Sequence, residues 1–253
     1  MFSTRVIVAL TIIDGGLYRT KAFKTPSYVG DPLNAIRIFN DKEVDELLVL
    51  DIAPDRAWTD DRLNLYSKMA SQAFMPTSFG GGLTSLGQME ELFLCGYDKV
   101  VINTATVDNP ILLSQAASKF GTQSVAASID VRRSMFGKDS VAVGLGLRKT
   151  KISPVQHAQR CEELGAGEIL IRSIAHDGMM QGYDIDLIAS IAETVSIPVV
   201  ASGGAGSLSD LTSALKAGAQ SVCSGSMFVY HGKHRAVLIN YPGPDEFNRM
   251  PRR

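Results

Sequence analysis

The sequence predicts an α/β protein: a single (β/α)8 barrel built from two half-barrel repeats, about 1–122 and 123–253. Three observations predict it. The chain has 253 residues, a usual length for one such barrel. Eight short apolar, β-rich runs alternate with segments of helical period. The second half of the chain echoes the first.

The runs are 6–13, 46–52, 75–79, 99–103, 125–131, 168–174, 198–202 and 221–227. Segments of helical spacing lie between them, at 32–39, 62–73, 86–95, 110–120, 154–164, 185–194 and 208–217. Three begin with a capping residue before proline: Asp31 before Pro32, Asn109 before Pro110 and Ser153 before Pro154. Strand–helix alternation repeated eight times calls for parallel strands with crossover helices. No early Gly-x-Gly-x-x-Gly appears, which disfavours an open dinucleotide-binding sheet. No Pro/Gly/Ser-rich linker divides the chain, which disfavours two smaller domains.

The internal repeat runs at an offset of 122 to 123 residues. Residues 46–53 parallel 168–175, 79–82 parallel 202–205, and 96–101 parallel 218–223. Glycine and acid positions align as well as apolar ones, so chance similarity among apolar strands is a poor explanation.

Composition excludes several classes. A net charge of −1 offers no global attraction to nucleic acid. No apolar run is long enough to span a bilayer, and the first residues lack a signal-peptide pattern. Cys95, Cys161 and Cys223 are scattered, odd in number and without metal-ligand spacing. Reduced thiols in a cytoplasmic protein follow, with no metal and no cofactor expected.

Three groups of residues carry candidate chemistry. Asp130 closes the fifth run, whereas the equivalent first run ends in Thr11. A carboxylate at an inner strand tip is a candidate acid or base, and its missing twin sets this chain apart. Glycine-rich turns, with Gly81 and Gly82 in one half and Gly203 and Gly204 in the other, follow strands. Ser224, Gly225 and Ser226 follow the eighth run, and Asn103 and Thr104 the fourth. At a barrel's C-terminal rim such turns can hold phosphate. Any one of them serves equally as a tight turn, but the pair at symmetric positions favours one phosphate site per half. Finally, strand parity places Arg5, Ile7, Ala9 and Thr11 on one face. If Thr11 points inward, Arg5 lies at the bottom of the lumen. Glu46, Lys99 and Glu168 also open their strands. Paired, these four charges could form a ring in the lumen. Spacing alone favours ordinary strand-flanking charges that face solvent.

Together these residues resemble the cyclase subunit of imidazole glycerol phosphate synthase. The resemblance covers essentially the whole chain. It is clearest at Asp51-Ile52, Gly80–Gly82, 98–104, 128–130, 165–170, Asp177-Gly178, 182–184 and 201–206. It implies a barrel with a glutaminase subunit docked on the bottom face, from which ammonia travels up the lumen to a bisphosphorylated substrate at the top. By resemblance Arg5, Glu46, Lys99 and Glu168 match an ammonia gate, which favours the ring over the solvent-facing reading. Asp130 matches one of two catalytic carboxylates.

The departures matter as much. The family's other catalytic aspartate falls on Thr11, and its substrate-closing loop lysine on Arg19. The sixth-strand tip reads Arg172, Ser173, Ile174, Ala175, His176, Asp177, Gly178. A second inward acid is thereby missing at Ala175, and an inward arginine is gained at Arg172. Losing one member of an acid–base pair costs typically about 10²–10⁴-fold in rate. Stretches 228–242 and 29–39 look like a cyclase-like paralogue of bacterial surface-polysaccharide clusters. The resemblance there implies a glutaminase partner, an amidotransferase-like third protein and conversion of an N-acetylated sugar to an acetamidino sugar. The acceptor is then a phosphorylated small molecule or a nucleotide sugar. The alternatives are a histidine-pathway cyclase that tolerates Thr11, and a non-catalytic activator of the glutaminase.

Lesser expectations concern single residues. His176, beside Asp177, is a candidate proton carrier. His157 reads as a helix-surface residue, and His231 and His234 as parts of a solvated loop. Trp58 packs on the loop after the second strand. Residues 179–182 form a flexible mouth loop, and Arg249 to Arg253 a frayed tail.

Overall fold

The computed structural model describes residues 4–133, 139–232, 234–243 and 246. Eight parallel strands form the ring: β1 (Arg5–Ile13), β2 (Glu46–Asp51), β3 (Thr77–Gly80), β4 (Lys99–Ile102), β5 (Val125–Arg133), β6 (Glu168–Ser173), β7 (Val199–Ser202) and β8 (Ser221–Ser224). Each pairs with the next in order, and β8 pairs with β1, which closes a (β/α)8 barrel.

Strand alternation divides the side chains between two cores. Val6, Val8, Leu10, Leu47, Val49, Val100, Ile169 and Ile171 point outward into the packing of helices on strands. Ile7, Ala9, Leu48, Leu50, Val101, Ala126, Leu170, Val200 and Cys223 point into the lumen. All six residues of β2 are buried because both faces are covered. Burying a Val, Leu, Ile or Phe side chain contributes about 1.5–3 kcal/mol, so the outer core holds the ring closed. The lumen side is lined partly by the small residues Ala9, Ala126 and Cys223.

The helices follow local chemistry. Asp31 caps the helix Pro32–Asp41 by accepting from the Asn34 N–H. Ser85 and Ser207 form reciprocal capping boxes with Gln88 and Asp210. Two expected caps are corrected. Helix Ile111–Phe120 starts from Pro110, and the Asn109 N–H instead closes the preceding short helix Thr104–Asp108 on Ala105. Ser153 holds the cap position of helix Pro154–Glu163 but makes no side-chain cap bond. Ser226 and Met227, expected to end the eighth strand, begin a short helix, Ser226–Val229.

Two hairpins above the ring were not anticipated. β1 and β5 each run nine residues, past the ring, and turn back as antiparallel partners. Gly16–Lys21 and Lys24–Gly30 form the first hairpin, and Asp139–Val143 and Arg148–Lys149 the second. Both stand at the C-terminal mouth. Among the described residues no helix is long and apolar enough to cross a membrane. The expected frayed tail, Arg249 to Arg253, lies outside the described residues.

Candidate functional site

At the N-terminal end of the lumen, the first residues of four strands meet. Arg5 Nη1 donates to Glu46 Oε2 at 2.7 Å, and Arg5 Nη2 donates to Glu168 Oε1. Lys99 Nζ donates to Glu168 Oε2 at 2.7 Å and lies 3.5 Å from Glu46 Oε1. Each carboxylate thus bridges both cations, and Ser78 Oγ adds a bond to Glu46 at 2.6 Å. Glu46 and Glu168 are buried, at 4% and 6% exposure, so these charges turn inward rather than toward solvent. Such burial is tolerable because every charge is matched. Burial works against the Arg5 charge, but the two glutamates outweigh it and raise its pKa.

Above this ring the lumen is apolar up to Ser128, whose buried Oγ has no hydrogen-bond partner. Asp130 follows on the same face of β5. It sits level with Arg172 of β6 and accepts its Nε at 2.9 Å. Phe23, at the tip of the first hairpin, lies over the Arg172 guanidinium at 4.4 Å. Burial penalises that cation, but Asp130 and Asp177 raise its pKa overall. Arg172 is therefore inward, as expected. Ala175 is exposed in the turn after β6, so position 175 is not an inward site, and the reading of a second lost inward acid there is corrected.

Thr11 stands on β1, on the far side of the eight-strand ring from Asp130. Its hydroxyl donates to the Tyr18 carbonyl and lies 3.4 Å from Arg19 Nη1. Arg19 is also corrected: it belongs to a hairpin strand, not a loose loop. Its side chain is buried, with Nη2 bonded to the Ala9 carbonyl. Burial pushes its pKa down to about 10, so it stays charged at neutral pH.

The two glycine-rich sides of the mouth are unequal. Gly81, Gly82, Asn103, Thr104, Asp130 and Arg172 border a cavity of about 560 Å³. Gly203, Gly204, Ser224, Gly225 and Ser226, with Thr11 and Arg19, border a recess of about 30 Å³. Positive φ makes Gly81 and Gly204 obligatory: a Cβ would fall 2.6 Å from the Asp51 carbonyl at Gly81 and 2.1 Å from the Gly182 carbonyl at Gly204. The Thr104 hydroxyl accepts the Gly144 N–H at 3.0 Å and so anchors the second hairpin.

Asp177 is half-buried beneath the first hairpin. Its carboxylate accepts from the Thr20 hydroxyl at 3.3 Å, and its carbonyl accepts the Ala22 N–H at 2.8 Å. Burial raises its pKa, and Arg172 and Arg19 pull against that rise. His176 lies apart from Asp130. Its Nδ1 is 2.8 Å from Ser173 Oγ and 3.8 Å from Asp184, which caps the next helix. Residues 179–182 are pinned rather than loose. Arg235 donates to the Met179 carbonyl at 2.9 Å, and the Gly182 N–H bonds the Gly204 carbonyl.

His157 is the clearest correction. It is buried, with Nε2 2.9 Å from Thr106 Oγ1 and 3.7 Å from Cys161 Sγ. Its helix presents Pro154, His157, Ala158 and Cys161 as one buried stripe, a spacing visible in the sequence. Trp58 packs on Tyr66 and donates to Glu91, and His231 and His234 are exposed. Sequence reasoning missed Phe23, Ser128 and Arg56. Arg56 borders the larger cavity beside Gly82. No group of three or more His, Cys, Asp or Glu among the described residues is placed to hold a metal ion.

A model of the family described as "Histidine biosynthesis protein" matches residues 5–235. The chain is 48% identical over 243 residues to a Pseudomonas aeruginosa protein named as a candidate imidazole glycerol phosphate synthase subunit, hisF2. That match covers 96% of this chain and 97% of the relative. It is 40% identical to a Leptospira interrogans protein named as a candidate HisF subunit of the same synthase, over 97% of this chain and 98% of the relative. It is 36% identical to the imidazole glycerol phosphate synthase subunit HisF of Petrotoga mobilis, over 91% and 92%. The chain belongs to the histidine biosynthesis protein family, as a HisF-type subunit.

Proposed function

We propose that this chain is the ammonia-accepting subunit of a glutamine amidotransferase complex, and that it serves acetamidino-sugar formation rather than imidazole formation. A glutaminase sits on the N-terminal rim. Ammonia enters between Arg5, Glu46, Lys99 and Glu168, rises through the apolar lumen and meets its acceptor in the mouth. Gly81, Gly82 and Asn103 hold the acceptor's phosphoryl group there. An amidotransferase-like third protein supplies activation of the amide.

The observation that carries the reading is the contrast between the two ends of one lumen. The basal charges are all present and mutually paired. The mouth has Asp130 on one side and a hydroxyl, Thr11, on the other. Closing an imidazole ring and expelling a fragment needs an acid and a base flanking the substrate, and threonine supplies neither near neutral pH. Ammonia addition asks for less. As nitrogen bonds to the amide carbon, the C–O bond of the amide, activated by the third protein as a phosphate or nucleotidyl ester, breaks and its oxygen leaves with the activating group. The nitrogen sheds a proton, and Asp130 takes it while Arg172 holds the carboxylate in place.

The test supplies ammonia and the bisphosphorylated precursor of imidazole glycerol phosphate at alkaline pH, without the partner. Imidazole product is expected at no more than about 10⁻² of the rate of a two-aspartate cyclase measured alongside. Product at a comparable rate makes this a histidine-pathway cyclase.

A further inference from the structure

Two glycine-rich cradles face each other across the mouth, and only one has room for a ligand. The cavity beside Gly81 and Gly82, of about 560 Å³, is of the size that takes a small molecule. The recess beside Gly203, Gly204 and Gly225, of about 30 Å³, holds a water or two. Arg19 makes the difference. Its guanidinium lies directly against Gly225: a Cβ there would be 2.1 Å from Arg19 Nη1.

Arg19 is also rooted in place. Its strand pairs with β1 through Thr11↔Tyr18, Ile12↔Leu17 and Ile13↔Gly16. The hairpin tip is tied down by the Ala22 N–H on the Asp177 carbonyl at 2.8 Å. Gly178 packs so tightly beneath it that a Cβ would lie 1.9 Å from the Thr20 carbonyl. The guanidinium itself is held by the Ala9 carbonyl and Thr11 Oγ1. For a phosphoryl group to enter, both bonds must break and the buried cation must leave its recess.

We propose that the mouth takes a singly phosphorylated ligand, seated on the Gly81–Gly82 side, and that Arg19 closes the opposite cradle against a second phosphate. The proposal rests on the reading of the mouth as a phosphate site. It narrows the substrate class to one phosphoryl group, with the ligand's other end free of charge and lying toward Asp130 and Arg172. Arg19 is then a specificity-determining residue.

Counting phosphates tests it. The intact chain is titrated with inorganic phosphate by calorimetry and by phosphorus NMR. One site is expected for the wild type and two for Arg19→Ser. Fructose 6-phosphate and fructose 1,6-bisphosphate serve as organic probes. Their affinities are expected to agree within about threefold for the wild type, with the bisphosphate gaining about tenfold or more in the variant. Two sites in the wild type, or a clear bisphosphate preference there, overturn the proposal and leave the phosphate-site reading standing. No bound phosphate at all overturns both. Should Arg19→Ser not fold, the wild-type count and probe ratio decide alone.

Discussion

Arg172 Nε donates to Asp130 Oδ1 at 2.9 Å, and the two residues are register partners on adjacent parallel strands. The pair fixes the charge pattern of the mouth. Asp130 is 2% exposed, and its carboxylate is held by a guanidinium whose side chain is 13% exposed. Across the ring Arg19 meets a hydroxyl and a carbonyl in place of a carboxylate. The mouth therefore carries one matched ion pair and a second cation, Arg19, whose charge Asp177 favours while burial raises the pKa of Asp177 itself.

Removing Arg172 should expose what the pair contributes. Arg172→Met leaves Asp130 buried without its cation, and breaking a buried pair in this way costs about 3–5 kcal/mol. Denaturant unfolding checks it. The double variant Arg172→Met with Asp130→Asn should recover most of the loss, because the stranded charge is gone. A single-variant loss under about 1 kcal/mol would show that water already solvates Asp130.

Asp130→Asn separates chemistry from activation. Asparagine keeps the shape but cannot take a proton. Product formation by the assembled complex should fall by about 10²–10⁴-fold, with glutamine hydrolysis by the partner retained. Equal product formation by variant and wild type would make the barrel a passive conduit and activator.

Lys99→Ala tests the basal ring. Each of Glu46 and Glu168 contacts both Arg5 and Lys99, so the variant leaves two buried carboxylates sharing one arginine. We expect glutamine hydrolysis to outrun product formation by several-fold, measured as the ratio of glutamate to aminated product. A ratio held at one would argue that ammonia does not pass this ring.

The parts of the molecule that were legible in the sequence depend on periodicity. Most of the strands announced themselves by apolar residues on both faces. The third and eighth, Thr77–Gly80 and Ser221–Ser224, carry serine or threonine on each face and are legible only from the alternation and the repeat. The inward turn of Arg5, Ile7, Ala9 and Thr11 follows from counting by two along β1. The hairpins were legible in part and overlooked. Asp14 and Gly15 at positive φ turn β1 back into Gly16–Lys21, and Gly144 and Gly146 turn Asp139–Val143 into Arg148–Lys149 in the second hairpin, whereas the turn at Ala22 and Phe23 carries no glycine to mark it. The inequality of the two cradles was illegible for another reason. It depends on the reach of one long side chain, Arg19, from a hairpin into a recess built by β7 and β8. His157 was legible and misread: its place in the stripe with Pro154, Ala158 and Cys161 outweighs its polarity.

His157 makes stability depend on pH. Burial, with a smaller push from Arg160, lowers its pKa to about 4 from the usual 6.5. In the unfolded chain it takes a proton as pH falls below about 6.5, whereas the folded chain resists until about 4. Its contribution is therefore complete above pH 6.5 and is lost as pH falls through the window from 6.5 to 4. The full loss is on the order of 3 kcal/mol, from about 2.5 units at 1.36 kcal/mol each. His157→Gln keeps a partner for Thr106 Oγ1 but cannot titrate. Carboxylates titrate in both proteins, so the readout is the difference in urea unfolding free energy between pH 7.5 and pH 4.5. Wild type should lose about 2–3 kcal/mol more than the variant over that span. Parallel losses would mean that the imidazole opens to solvent and is protonated in the folded state as readily as in the unfolded one.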